Sequence, residues 1–201
     1  MKDNDPKRAQ LLTAAKALIW KHGMRRVSIE EICKEAGVSR MTFYKHFRDK
    51  DSIVLTILEA LEKEGLERYR TIMKSELPFP DKVKALIRFK SEQADSLSHE
   101  FYHDIHQHAG PAVVELLDRM DRDSIRLFEK DIVQAQKQGH LRAGIHPKFF
   151  VYLLDKLIEM SHDEDLINMY PSLQAMIIEL TNFYFYGILP AEGRDPKPKS
   201  H

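Results

Sequence analysis

Between Gly37 and Lys50 the chain reads GVSRMTFYKHFRDK, and its most chemically capable side chains crowd into that stretch. Arg40, Lys45, Arg48 and Lys50 bring cations, Thr42 and Tyr44 bring hydroxyls, and His46 brings an imidazole. All of these can donate hydrogen bonds to phosphates or to base edges. Ser39 suits an N-cap, and Gly37 suits the end of a preceding helix. On a helix begun at Ser39, Phe43 and Phe47 stand one turn apart on one face and are suited to pack inward. At about 100° per residue, Met41, Lys45 and Arg48 then face the other way, with Arg40, Thr42, Tyr44 and His46 on the flanks. A helix of two turns is not stable by itself. It requires partners.

The first partner lies just upstream. Ser28-Ile29-Glu30-Glu31 fits a capping box, and Ile29, Ile32, Cys33 and Ala36 follow as an apolar stripe. Two short helices over 28–36 and 39–47, joined at Gly37-Val38, make a helix-turn-helix. On these residues the stretch SIEEICKEAGVSRMTFYKHFRDKDSIV closely resembles the DNA-binding region of the TetR family of bacterial transcriptional regulators. The resemblance lies in the Thr-aromatic-Tyr-x-His-Phe order of the second helix and the lysine that opens the next. It covers about the first quarter of the chain; the remainder resembles the family in helical layout and length alone.

The charge distribution agrees. The whole chain balances 31 Lys and Arg against 31 Asp and Glu, yet residues 1–50 hold 12 against 6 and the rest 19 against 25. A basic head on an acidic body is expected when only the head meets a polyanion. A single cysteine, Cys33, forbids an internal disulfide and reads as a small core residue. The opening MKDNDPKRAQ has no apolar signal-peptide core, and no run reaches the roughly 20 apolar residues of a membrane span. The expectation is a cytoplasmic protein with no membrane association.

Upstream of the helix-turn-helix, Asp5-Pro6 caps a first helix whose stripe of Leu12, Ala15 and Ile19 ends at Gly23. A long helix is expected from Lys50 to Met73, a break at Leu77-Pro78-Phe79-Pro80, and helical periodicity from there on. The reading is therefore an all-α chain: a three-helix DNA-binding head over residues 1–50 and a helical effector-binding and dimerisation bundle over 51–190. A polar, proline-rich tail over 191–201 is expected to be disordered. The last two long helices are apolar over more than one face, as expected of helices that cover both a core and a second subunit. Dimerisation is assigned to Leu154, Leu157, Leu173, Ile177, Leu180 and Tyr184, and the resemblance likewise implies a homodimer bundled through its last two helices.

Within the head, Ser28, Ser39, Thr42, Tyr44, Lys45 and Lys50 are assigned to DNA, mainly to its phosphates. Arg40 and Met41 are assigned to base edges, with Lys45 as a third reader, because arginine suits guanine and methionine a thymine methyl. His46 either bonds a phosphate or caps the packing. The resemblance also implies an effector cavity in the body. Phe89, Phe101, Tyr102, Phe128, Phe149 and Tyr152 are its candidates, and their chemistry suits a small hydrophobic effector. Last, SHEFYHDIHQHAGP puts His99, His103 and His106 on one helical face, a spacing that can hold zinc. A solvated or pocket-rim role outweighs that reading, so no metal or cofactor is assigned; a metal-binding helical protein or metalloenzyme is the alternative. No Gly-rich phosphate loop, GxSxG or HExxH occurs in the sequence, and no enzyme is expected.

Overall fold

The computed structural model describes residues 5–95, 98–142, 144–161 and 163–188, with the side chains of 94, 95, 99, 106, 187 and 188 outside that description. Among the described residues there are ten helices and no strand. They are α1 (Pro6–His22), α2 (Ile29–Glu35), α3 (Arg40–His46), α4 (Lys50–Lys74), α5 (Phe79–Asp95), α6 (His99–Gln107), α7 (Pro111–Lys137), α8 (Pro147–Met160), α9 (Glu164–Asn168) and α10 (Leu173–Ile188). The all-α expectation holds. The short α9 was not foreseen, and the tail over 191–201 lies outside the described residues.

The chain packs as two compact units, residues 1–67 with 95–120 and residues 68–94 with 121–201. Of the three boundaries, those at 67/68 and 120/121 fall inside α4 and α7, and that at 94/95 falls at the last residue of α5.

In the first unit, local capping sets each helix start. Asp5 accepts the Lys7 amide at 2.8 Å ahead of Pro6. Ser28 and Glu31 complete the capping box reciprocally, and Ser39 accepts the Thr42 amide, each satisfying N–H groups that a helix start leaves open. Gly37, at φ 65°, reverses the chain after α2, and the Val38 amide bonds the Cys33 carbonyl at 3.0 Å in a Schellman-type turn. The stripes then meet in one core of Leu11, Ala15 and Ile19 from α1, Ile32 and Cys33 from α2, Phe43 and Phe47, and Ile53, Val54 and Ile57 from α4. α6 belongs to this core as well: Phe101 and Ile105 are buried in it, and the Phe101 ring stacks on Trp20 at 4.3 Å.

The second unit is built on aromatics. Phe128 lies against Tyr69, Tyr184 and Phe185, with ring centroids 6.0–6.4 Å apart. The two phenols in that cluster are not left without partners: Tyr69 donates to Asp131 at 2.8 Å, and Tyr184 donates to the Phe150 carbonyl at 3.1 Å. Burial pushes both hydroxyls well above the ordinary phenol range, with the Asp131 hydrogen bond adding to the effect at Tyr69. Between α7 and α8, Gln136 donates to the carbonyls of Arg142 and Ile145 and fixes the turn.

Candidate nucleic-acid interface

α3 is only seven residues long, so its outward face is set by what anchors it. Phe43 is fully buried and Phe47 nearly so, which turns the opposite side to solvent. Met41 is 74% exposed and Tyr44 50%, and Arg40, Lys45 and Arg48 are exposed with them. The structure thus brings Arg40, Met41, Tyr44 and Lys45 to one short surface helix.

The remaining head residues do other work in the free protein. Thr42 is half-buried, with its hydroxyl 3.0 Å from that of Ser39, so the two share the start of α3. Ser28 is occupied by its box: its amide and hydroxyl both donate to Glu31 at 2.8 Å, which holds the Glu31 carboxyl below the usual carboxylate range. His46 directs Nε2 toward Asp5 at 3.5 Å, beside the start of α1, which matches the packing alternative for that residue. Arg8 lies over the Phe47 ring at 5.4 Å.

Lys50 departs from its assignment to phosphates. Its ammonium donates to the carbonyls of Met24 at 2.6 Å and Val27 at 2.9 Å, closing the loop between α1 and α2. Burial lowers its pKa from the usual lysine value. The lysine therefore braces the head from inside, and does so because the last carbonyls of that loop have no helical partner of their own.

The same loop is held from its other side by a residue that sequence reasoning missed. Asp104 of α6, the one buried acidic residue among those described, accepts the Arg25 amide at 2.8 Å. Gly23 lies directly beneath it: a Cβ there would stand 2.5 Å from the Asp104 carboxylate and 3.2 Å from Glu100, and the backbone has φ 82°. Ser98 adds an amide bond to the Trp20 carbonyl at 3.0 Å. Arg25 Nη1 in turn lies 3.3 Å from His108 Nε2. A signal for this existed in the sequence, since Phe101, Asp104 and Ile105 share one helical face.

The histidine-rich segment is accordingly part of the head's support. His103 meets His108 edge-on at 5.6 Å. The side chains of His99 and His106 lie outside the described residues, and no group of three His, Cys, Asp or Glu able to hold a metal occurs among those described.

The effector candidates are divided between the two units. Phe101 is in the core of the first unit, and Phe128 is in the core of the second. Phe89 is half-buried under Arg68, whose guanidinium is 5.8 Å from its ring. Tyr102 is half-buried in the first unit. Phe149 and Tyr152 are 52% and 58% exposed. The dimerisation candidates also divide. Leu157, Leu173 and Tyr184 are buried within their own unit, Leu154 and Leu180 are half-buried against its core, and Ile177 is half-buried. Exposed on α8 are Phe149, Tyr152 and Met160, and exposed on α10 are Phe183 and Tyr186. No described helix is long and apolar enough to cross a membrane.

Comparison with known proteins agrees with this geometry. Residues 11–57 match the family model described as bacterial regulatory proteins, tetR family. The fatty acid metabolism regulator protein of Bacillus subtilis is 28% identical over 87 residues, which are 43% of this chain and 45% of that protein. The transcriptional repressor KstR2 of Rhodococcus jostii is 30% identical over 90 residues, 45% of this chain and 44% of that one. The chain thus spans about half the length of the curated relatives it matches. SmeT, solved with triclosan, shares the fold over 98% of this chain and 100% of its own, at a TM-score of 0.69 and 19% identity. Both curated relatives are named as regulators, and residues 11–57 are the part of this chain that is similar to the tetR family of bacterial regulatory proteins.

Proposed function

We propose that the chain acts as a homodimeric, sequence-specific DNA-binding regulator, in the sense of a repressor released from its operator by a small hydrophobic effector. The exposed face of α3 is the observation that carries this reading: Met41, Tyr44 and Lys45 face outward because Phe43 and Phe47 face inward. Arg40 and Met41 read base edges, and Tyr44 and Lys45 meet phosphates with Ser39 and Thr42 beside them. Lys50 is left out of the phosphate set, because its ammonium already serves Met24 and Val27.

Dimerisation is reassigned to the outward faces of α8 and α10. Phe149, Tyr152, Phe183 and Tyr186 expose aromatic surface of the kind that protein interfaces enrich. A twofold pair of heads reads half-sites about 34–36 Å apart, so the operator is an approximate palindrome. Support for a hydrophobic effector comes from relatives: one curated relative is a fatty acid metabolism regulator, and SmeT was solved with triclosan. Release acts through α4, which runs from the head into the second unit, and requires that the effector bind one of two head arrangements more tightly.

Selection of genomic fragments with purified protein tests the reading. One enriched palindrome is the expected result. Absence of enrichment at low salt, where basic heads bind most tightly, refutes it, provided that protein refolded from denaturant, and so stripped of ligand, also fails.

A further inference from the structure

Arg40 opens α3, and its angular position differs from that of Met41 or Lys45. Counting about 100° per residue, it falls nearer the Phe43 and Phe47 side than the outward side. There its Nη1 meets the Oε1 of Glu30 on α2. Both partners remain open to water, with side chains 58% and 66% exposed, so the ion pair adds little to folding. Nor does α2 need Glu30 to begin, since Ser28 and Glu31 already form the capping box. What the pair does fix is the place of the one arginine on the reading helix assigned to a base edge.

We infer that Glu30 is a positioning residue that sets operator specificity by holding Arg40 away from phosphates until a base edge competes for it. A guanine edge offers two acceptors in the fork geometry of a guanidinium and can displace the carboxylate. A phosphate can accept the same fork, but so does the Glu30 carboxylate, which is already in place; on unrelated DNA, where no guanine stands at that position, the ion pair persists. Glu30 thereby withholds one cation from non-specific binding. The inference rests on the DNA-binding reading above.

The test uses the full-length protein and its Glu30→Gln variant, titrated against the selected palindrome and a scrambled duplex at several salt concentrations. On scrambled DNA the variant is expected to bind more tightly at low salt. Its affinity should also fall about 3.5-fold further than that of the parent between 50 and 200 mM salt, the increment of one added phosphate contact at a slope of about −0.9. The ratio of palindrome to scrambled affinity should drop accordingly. Equal slopes and equal ratios for the two proteins overturn the inference and leave the DNA-binding reading standing. Loss of binding to both duplexes by the variant overturns it too, because a gain is required. If the parent binds neither duplex at the lowest salt, the DNA-binding reading falls and the inference with it.

Discussion

The outward faces of α3 and of α10 are made by the same device and end with opposite chemistry. In α3, Phe43 and Phe47 turn inward, and the residues left outside are a methionine, a phenol and cations. In α10, Leu173 and Tyr184 turn inward, and the residues left outside include Phe183 at 72% exposure and Tyr186 at 59%. A stripe of core residues fixes which way each helix faces; the complementary stripe decides what it can meet. A cationic, hydrogen-bonding surface suits a polyanion, whereas exposed aromatic surface suits another apolar surface. The two units also brace their faces differently. The head ties the loop between α1 and α2 with a lysine and a buried aspartate, while the second unit relies on packed rings with their hydroxyls satisfied.

The comparison can be broken most forcefully with two phenylalanines. Phe43→Ala, in a fully buried site, should cost about 3–5 kcal/mol. Phe183→Ala should change subunit stability by no more than about 0.5 kcal/mol. Urea unfolding at a protein concentration where the oligomeric state is fixed measures both, and comparable losses would mean that Phe183 has its own place in the core. Next in size, the double change Phe183→Asp with Tyr186→Asp should raise the dimer dissociation constant by at least 100-fold, or about 2.8 kcal/mol, in sedimentation equilibrium. An unchanged dimer would move the interface elsewhere.

Smaller effects sharpen the contrast. Lys50→Met removes the donor from two loop carbonyls and should destabilise the head by about 1–3 kcal/mol, whereas Lys45→Ala should leave stability alone and reduce the salt slope of DNA binding by about 0.9. Reversal of that pattern would restore Lys50 to the phosphate set. The gentlest test is alkaline. The Tyr69 phenol is raised in the fold, so its contribution is complete below the unfolded phenol value of about 10 and is lost as pH rises above it. The stability gap between the parent and Tyr69→Phe should therefore be flat from pH 7 to 9 and shrink above about pH 10; a gap that stays constant to pH 11 contradicts that sign.

How much of this was legible in the sequence depended on how local its causes were. The direction of α3 could be read because a capped two-turn helix with phenylalanines four apart has only one way to sit. The faces of α8 and α10 could not, because helices apolar on both sides do not announce which stripe is inside; Tyr152 and Phe149 were assigned to a cavity and stand on the surface. The bracing role of Lys50 is illegible for a different reason. Its acceptors lie 26 and 23 residues away, and no spacing rule reaches that far. Asp104 stands among histidines whose spacing suggests metal chemistry, although its helical neighbours Phe101 and Ile105 mark that face as buried. The five residues of α9 are too few to show a period at all.

Gly23 has a consequence for variation that its geometry makes concrete. Its left-handed backbone disfavours every side chain, and the first carbon of any side chain would enter the space of the Asp104 carboxylate. In a saturation mutagenesis library scored for folded protein, every substitution at this position should be depleted nearly as far as a stop codon.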